Sequence, residues 1–200
     1  MNNLPPIKVI IKTGDEKFLG ICDGQLLTLK EFWQWLASDL VSNATRGILA
    51  EYIVAAALGL NQGVRYEWNA YDLKTETGLK IEVKSAAYIQ SWYQRTLSKI
   101  TFGIRPTLAW DYETNRQGKE KKRQAGIYVF CLLHHKNKET INPMDLSQWT
   151  FYVISTKKLE NACPEAKSIT LGRLKKLNSK ECRFDTLKET ITAHVGWAIK

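Results

Sequence analysis

The chain has 200 residues, of which 44% are hydrophobic and 24% charged, so it is long and apolar enough to bury a core. Its formal net charge of +9 favours polyanionic partners such as nucleic acid, although such a charge also serves solubility alone. The four cysteines form no CxxC pair, residues 1–12 lack a signal-peptide pattern, and no apolar stretch is as long as a membrane span. These features argue against a zinc ribbon, a redox dithiol and a membrane partner, and we expect a cytoplasmic protein with reduced thiols.

Two helices are predicted in the first third of the chain. Thr28 and Glu31 have the spacing of a capping box, which predicts that a helix begins there. A second helix is predicted from about residue 43 to residue 58, and Gly59 stands where a left-handed C-terminal cap belongs.

The second predicted helix carries a single acidic residue in an apolar setting. Residues 47–60 include one charged side chain, Glu51, and the helix is apolar nearly all round, so we expect it to be largely buried. A lone buried carboxylate is costly unless a cation accompanies it. We therefore expect either an internal salt bridge, with Arg46 or Lys84, or a role at a metal ion.

Strand-like segments follow the helices. Residues 64–74 and 79–84 are joined by a turn that contains Gly78, which predicts a β-hairpin. Residues 126–134 are apolar almost throughout and predict a central strand buried on both faces. The other predicted elements are an optional short helix over residues 86–93, a strand over 100–104, a polar loop over 106–124, a strand over 149–154 and a helix over 170–177. Thr186 and Glu189 form a second capping box, which predicts a last helix that includes Val195.

This order of elements predicts an α/β fold in which helices flank a mixed β-sheet. We expect a single domain over residues 1–200, with a core at about residues 28–135 and the strand and helices of residues 149–198 packed on it.

The predicted hairpin brings two carboxylates together. A three-residue loop over residues 76–78 pairs Thr75 with Leu79, and the same register pairs Asp72 with Glu82. Directly opposed residues have Cβ atoms about 4.5–5.5 Å apart, so the two carboxylates would repel unless a cation lay between them. Mg²⁺ prefers oxygen ligands of this kind.

Lys84 projects from the same predicted face as Glu82, where an ammonium can hold an attacking water or stabilise charge at a phosphorus centre. The alternative is a solvated charge ladder without function. Lys74 and Lys80 share this face, and diagonal pairs with Glu82 and Asp72 would neutralise the carboxylates.

Three features follow one another along the chain: the helical Glu51, Tyr71-Asp72, and, after nine further residues, Glu82-Val83-Lys84. Together they resemble the PD-(D/E)XK nuclease superfamily, although Tyr71 stands where that motif has proline. The resemblance implies a restriction-endonuclease-like core in this α/β chain. It implies a metal, Mg²⁺ with Mn²⁺ as the alternative, held by Asp72, Glu82 and the Val83 carbonyl, with Glu51 beside it. It also implies that Lys84 positions or activates the attacking water, and that Gln90 is the polar residue that some members place near the site, unless Gln90 is an exposed structural residue.

The implied function is Mg²⁺-dependent hydrolysis of phosphodiester bonds, with DNA as the expected substrate, RNA as the alternative, and an endonuclease as the expected enzyme. Cleavage of both strands of a DNA duplex would favour a homodimer, which has two copies of the site. Two alternatives remain: a catalytically inactive protein of the same fold that binds nucleic acid or joins a complex, and an unrelated α/β protein whose hairpin is merely charged.

Basic residues outside the hairpin are the candidates for contact with nucleic acid. Trp92 and Tyr93 lie among the first of them and would either stack on bases or join the core. Residues 116–123 carry five positive charges and one negative, and a solvated mobile loop is the alternative there. We expect His134, His135 and His194 to be structural. The candidate basic residues are Arg95, Lys99, Arg105, Arg116, Lys119, Lys121, Lys122 and Arg123.

Overall fold

The computed structural model describes residues 4–20, 27–111 and 114–193. The helices in these ranges are α1 (Leu29–Ala37), α2 (Asn43–Leu58), α3 (Thr156–Ala162), α4 (Leu171–Lys176) and α5 (Phe184–Ala193), with a 3-10 turn at Leu146–Gln148. The strands are β1 (Leu73–Lys74), β2 (Lys80–Ala87), β3 (Thr101–Gly103), β4 (Thr107–Asp111), β5 (Arg116–Lys122), β6 (Ile127–Leu133), β7 (Trp149–Ser155), β8 (Ser168–Thr170) and β9 (Lys180–Cys182).

Five strands form one mixed sheet in the order β1-β2-β6-β7-β9. β2 and β6 are parallel, and the other neighbours are antiparallel. Every residue of β6 is buried, as expected of a central strand covered on both faces. The predicted α/β class with a mixed sheet is therefore confirmed.

Alternate residues of β6 belong to two different cores. Val129 and Cys131 pack with α2 and α5, through residues such as Ile53 and Leu187. Phe130, on the opposite face, packs in a second cluster with β3, β8, α3 and α4. The sheet is therefore the middle layer between α2 with α5 and a mixed layer of short elements.

Local sequence signals set the ends of the first two helices as predicted. The Thr28 hydroxyl accepts from the Glu31 N–H, and the Glu31 carboxylate accepts from the Thr28 N–H, so the capping box is present. Gly59 has a φ of 74° and caps α2 in the left-handed conformation. The expected burial of α2 is only half right, because Ile48 is 50% exposed and Tyr52 is 56% exposed.

Several predicted elements were wrong in length or type. The strand predicted over residues 64–74 is reduced to β1, because the chain makes turns and bends there as it passes from α2 to the edge of the sheet. Residues 106–124 are not a loop, since β4 and β5 pair as an antiparallel hairpin with exposed lysines on both faces, which hides the strand period. The optional helix over residues 86–93 is absent, as β2 continues to Ala87.

The C-terminal third holds elements that the sequence did not indicate. α3, β8 and β9 were missed, because each has seven residues or fewer and carries too little periodicity to be recognised. α5 begins at Phe184, before the expected capping box at Thr186. Val195 and His194 lie outside the described residues. Among the described helices, none has both the length and the apolar character that crossing a membrane requires.

Candidate active site

The hairpin of β1 and β2 has the register expected from its turn. Leu73 pairs with Ile81, and the Thr75 N–H donates to the Leu79 carbonyl at 2.9 Å. The recorded pairing ends at Leu73 and Ile81, but the Asp72 N–H still donates to the Ile81 carbonyl at 3.1 Å, which holds Asp72 against β2. The Asp72 carboxylate in turn accepts from the Val83 N–H, with Oδ2 at 2.6 Å from the nitrogen.

Asp72 is in an environment that opposes its ionisation. Burial raises the pKa of Asp72 to about 7, and repulsion by the Glu82 carboxylate adds to the effect, while Lys84 and the Val83 N–H act in the opposite direction. Glu51 also raises this pKa, so its carboxylate is electrostatically linked to the same site. The protein thus holds two facing carboxylates at a cost that a cation would relieve.

Lys84 is the cation that the hairpin itself supplies. Its Nζ lies 2.5 Å from Oε1 of Glu82, and the two side chains are 32% and 19% exposed. Burial acts to lower the pKa of Lys84, but the Glu82 and Asp72 carboxylates outweigh it and raise that pKa, so the amine is held as an ammonium.

The other two lysines of the hairpin do not form the charge ladder that was the alternative. Among the residues that the structure describes, neither Lys74 nor Lys80 is ion-paired with a carboxylate. The Lys80 ammonium instead lies 5.0 Å from the centre of the Tyr71 ring, in a cation–π contact.

Glu51 approaches the site from α2 and is held by a residue that the sequence did not indicate. Arg65 binds both oxygens of Glu51, with Nε at 2.5 Å from Oε2 and Nη2 at 3.0 Å from Oε1. The expected partners were Arg46 and Lys84, and neither is bonded to it. Arg65 lies in the irregular segment that replaces most of the first predicted strand, and nothing in the sequence indicates its pairing with Glu51.

Two carboxylates, rather than three, stand ready for a metal in this conformation. Within the described ranges, no group of three or more His, Cys, Asp or Glu side chains is arranged to hold an ion. Asp72 and Glu82 are the pair that could, together with backbone oxygen and water. Glu51 could join them only if Arg65 released it.

Gln90 is buried rather than exposed. Its amide nitrogen donates to the Ala87 carbonyl at 3.1 Å and to Ser98 Oγ at 3.2 Å, and its oxygen accepts from Arg46 at 3.4 Å. Arg46 is itself buried and donates to the Val41 carbonyl at 2.8 Å. This network joins the start of α2 to the chain that leaves β2, so Gln90 holds these two elements together.

The candidate basic residues fall into two groups. Arg123 is buried, and its guanidinium donates to the carbonyls of Ile104 at 2.9 Å and Cys163 at 2.7 Å, so a phosphate cannot reach it in this conformation. The others are exposed. Trp92 and Tyr93 are also on the surface, 53% and 85% exposed, rather than in the core. The exposed basic candidates are Arg95, Lys99, Arg105, Arg116, Lys119, Lys121 and Lys122.

The two strand-end histidines have structural partners. His134 Nδ1 lies 3.0 Å from the Thr150 hydroxyl, and His135 Nε2 lies 2.7 Å from the Thr140 hydroxyl. These contacts tie β6 and the turn after it to their neighbours, as expected of structural residues.

The fold and the site define an α/β protein with paired acids and a lysine on the hairpin of β1 and β2 at one side of a mixed sheet. This set of groups is suited to hydrolytic chemistry on charged substrates. The model of the bacteriophage T4 endonuclease IV family matches residues 25–172 of the chain, well over half of its length. The chain therefore belongs to this family, and the matched range includes every residue of the site. No curated protein matches the chain significantly.

Proposed function

We propose that the protein is a Mg²⁺-dependent endonuclease that hydrolyses phosphodiester bonds in DNA, with a restriction-endonuclease-like core of the PD-(D/E)XK type. The observation that carries the proposal is the facing pair of Asp72 and Glu82, with the Lys84 ammonium 2.5 Å from Glu82. Membership of an endonuclease family supports the reaction, and the net charge of +9 supports a polyanionic substrate.

Asp72 and Glu82 are the side chains that we assign to the metal, with the Val83 carbonyl as the expected backbone ligand. The donor set fits Mg²⁺, or Mn²⁺ as the alternative, because both ions take carboxylate oxygens, and a cation relieves the repulsion between the two groups. When bound, the ion would supply positive charge to the phosphate oxygens.

Lys84 acts on the reacting groups through its ammonium. Because this group lies at the carboxylate pair and is 32% exposed, it can donate hydrogen bonds to an attacking water and to a phosphate oxygen. The hydrogen bond to the phosphate oxygen strengthens as negative charge builds there, so the lysine lowers the barrier by stabilising that charge, and its contact with the water orients the nucleophile.

The hairpin of β4 and β5 is the surface that we assign to the DNA backbone. All seven residues of β5 are exposed, and the strand holds four basic side chains against one acidic one. Such a ribbon can lie along a groove and contact phosphates without reading sequence. Cleavage of both strands would require two copies of the site, which favours a homodimer. The four basic side chains are Arg116, Lys119, Lys121 and Lys122.

The test is a cleavage assay on supercoiled and linear DNA, and on RNA of the same sequence, with Mg²⁺, with Mn²⁺ and with EDTA. We expect metal-dependent cleavage of DNA by the wild type. Glu82→Gln and Lys84→Met should each lower the rate by about 10²–10³-fold, because each removes a group that acts on the transition state. Calorimetric titration with Mn²⁺ should detect weaker binding by Glu82→Gln only.

Glu76→Gln is the matched control, because it removes an exposed carboxylate from the turn of the same hairpin and should leave both rate and metal affinity unchanged. Cleavage that persists in EDTA, or that survives Glu82→Gln in a folded protein, would reject the metal mechanism. Binding of DNA without cleavage under every metal would instead support the alternative of an inactive nucleic-acid-binding protein.

A further inference from the structure

A cavity of about 380 Å³ opens between α2 and the irregular segment that leads to β1. Pockets that hold one small ligand have volumes of about 300–1,000 Å³, so this one is suited to a single compact group. Its wall on the helix side is apolar and includes Ile48, Tyr52 and Ala55. Ile48 and Tyr52 were expected to be buried with the rest of α2 and are instead half-exposed along this wall, while Ala55 is buried at its base.

The cavity is continuous with the candidate active site. Glu51 and Asp72 both line it, so the carboxylates stand at its edge. Asp72 also accepts from the Val83 N–H at 2.6 Å, which links the cavity wall to β2 and to the assigned metal position. A nucleotide whose phosphate lies at Asp72 and Glu82 therefore has this cavity within reach of its own base or a neighbouring base.

The wall chemistry suits a nucleobase better than a phosphate or an aliphatic group. Tyr52 and Tyr66 present half-exposed rings, at 56% and 50%, on which a planar base can stack. Asn61 and Asn69 add amide groups that can hydrogen-bond to a base edge. The Glu51 and Asp72 carboxylates are offset by Arg65, which is paired with Glu51, and by Lys74, since both cations also line the cavity. The lining charges therefore balance, which suits a neutral base better than an anionic phosphate.

We propose that this cavity binds one nucleobase of the substrate, turned out of its stack, while the adjoining phosphate lies at Asp72 and Glu82. The proposal rests on the nuclease function proposed above and adds a base-binding site to it. Extraction of a base costs stacking energy, which the tyrosine rings and the amide groups recover in the cavity. Binding and cleavage should therefore depend on a base at one fixed position relative to the cleaved bond.

The experiment scans a single abasic residue along a short single-stranded oligonucleotide and measures its affinity with Ca²⁺ in place of Mg²⁺, so that a cation holds the phosphate at the carboxylates. We expect one position at which loss of the base weakens binding by about 5- to 150-fold, the range for stacking of one base on aromatic side chains. 2-Aminopurine at that position should lose fluorescence on binding. Tyr52→Ala should weaken binding of the intact strand by a similar factor and remove the position dependence, and Tyr52→Phe should retain both.

Trp35→Ala is the matched control, since it removes an aromatic side chain that is 83% exposed on α1 and does not line the cavity. Circular dichroism and thermal melting establish that each variant is folded. Equal affinity for all abasic strands, or an unchanged position dependence in Tyr52→Ala, would overturn the base-binding site. The scan measures binding and requires no cleavage. A position dependence in a protein that does not cleave would reject the proposed nuclease activity alone. Cleavage without a position dependence would reject the proposed base-binding site alone.

Discussion

Substitution of Asp72 by Asn should stabilise the metal-free protein while it abolishes cleavage. Burial and the nearby Glu82 carboxylate both oppose ionisation of Asp72, and together they raise its pKa from 3.8 to about 7. Asn has nearly the same shape, carries no charge, and retains an oxygen that can accept from the Val83 N–H. The substitution therefore removes an unfavourable charge without leaving a cavity or an unsatisfied donor.

The size of the effect follows from this pKa. A shift from 3.8 to about 7 corresponds to at most about 4 kcal/mol of destabilisation by the ionised form at high pH. Relaxation of a partly exposed site reduces this to about 2 kcal/mol, which in a chain of this length raises the melting temperature by about 4–8 °C. The gain is complete above the folded-state pKa and disappears as the pH falls towards 3.8, because the wild-type carboxylate then becomes neutral as well.

The assay is thermal unfolding of the wild type and Asp72→Asn in EDTA at pH 8 and pH 5, with Glu76→Gln as the exposed-carboxylate control. We expect a clear gain at pH 8, less than half of that gain at pH 5, and almost no change in the control. Addition of Mg²⁺ should then stabilise the wild type and leave Asp72→Asn unaffected. A variant no more stable than the wild type at pH 8, or a gain independent of pH, would refute the reasoning.

Four further substitutions test three other parts of the structure. Arg123→Met should destabilise the fold by about 2–4 kcal/mol in chemical denaturation, because it leaves buried carbonyls without donors, and should leave the salt dependence of DNA binding unchanged. Lys119→Ala and Lys121→Ala should each reduce the slope of log affinity against log salt by about 0.9; slopes equal to that of the wild type would remove the hairpin from the DNA-binding surface. Arg65→Met should increase Mn²⁺ affinity several-fold in calorimetry, because Glu51 becomes free to bind the ion, and an unchanged affinity would mean that Glu51 does not reach the metal.

The hairpin at the centre of the site could be predicted because its determinants are close together in the chain. A loop of known length with Gly78 at a left-handed position, at a φ of 84°, determines which residues of the two strands face each other. The facing of Asp72 and Glu82, and the position of Lys84 beside Glu82, follow from that register and from the two-residue period of a strand.

The residues around this hairpin could not be predicted in the same way. Arg65 is fourteen positions from Glu51, in a segment whose polarity pattern resembled a strand but whose backbone is irregular. In the sequence, Arg123 is one of several basic residues in a row. In the structure it is buried, because it directly follows β5, where the chain passes from the exposed hairpin into the core. Both outcomes depend on neighbours that lie far away along the chain.

The sequence by itself determined the α/β class, the central strand, the caps of the first two helices and the acid–lysine hairpin, because each depends on hydrogen bonds and periodicities that span a few residues. Only the tertiary structure decided that Arg65 holds Glu51, that Gln90 and Arg123 are buried, and that an open cavity adjoins the carboxylates. The physical reason is that these features depend on how α2 and its following segment pack against the edge of the sheet. That packing is set by the whole core rather than by any local pattern.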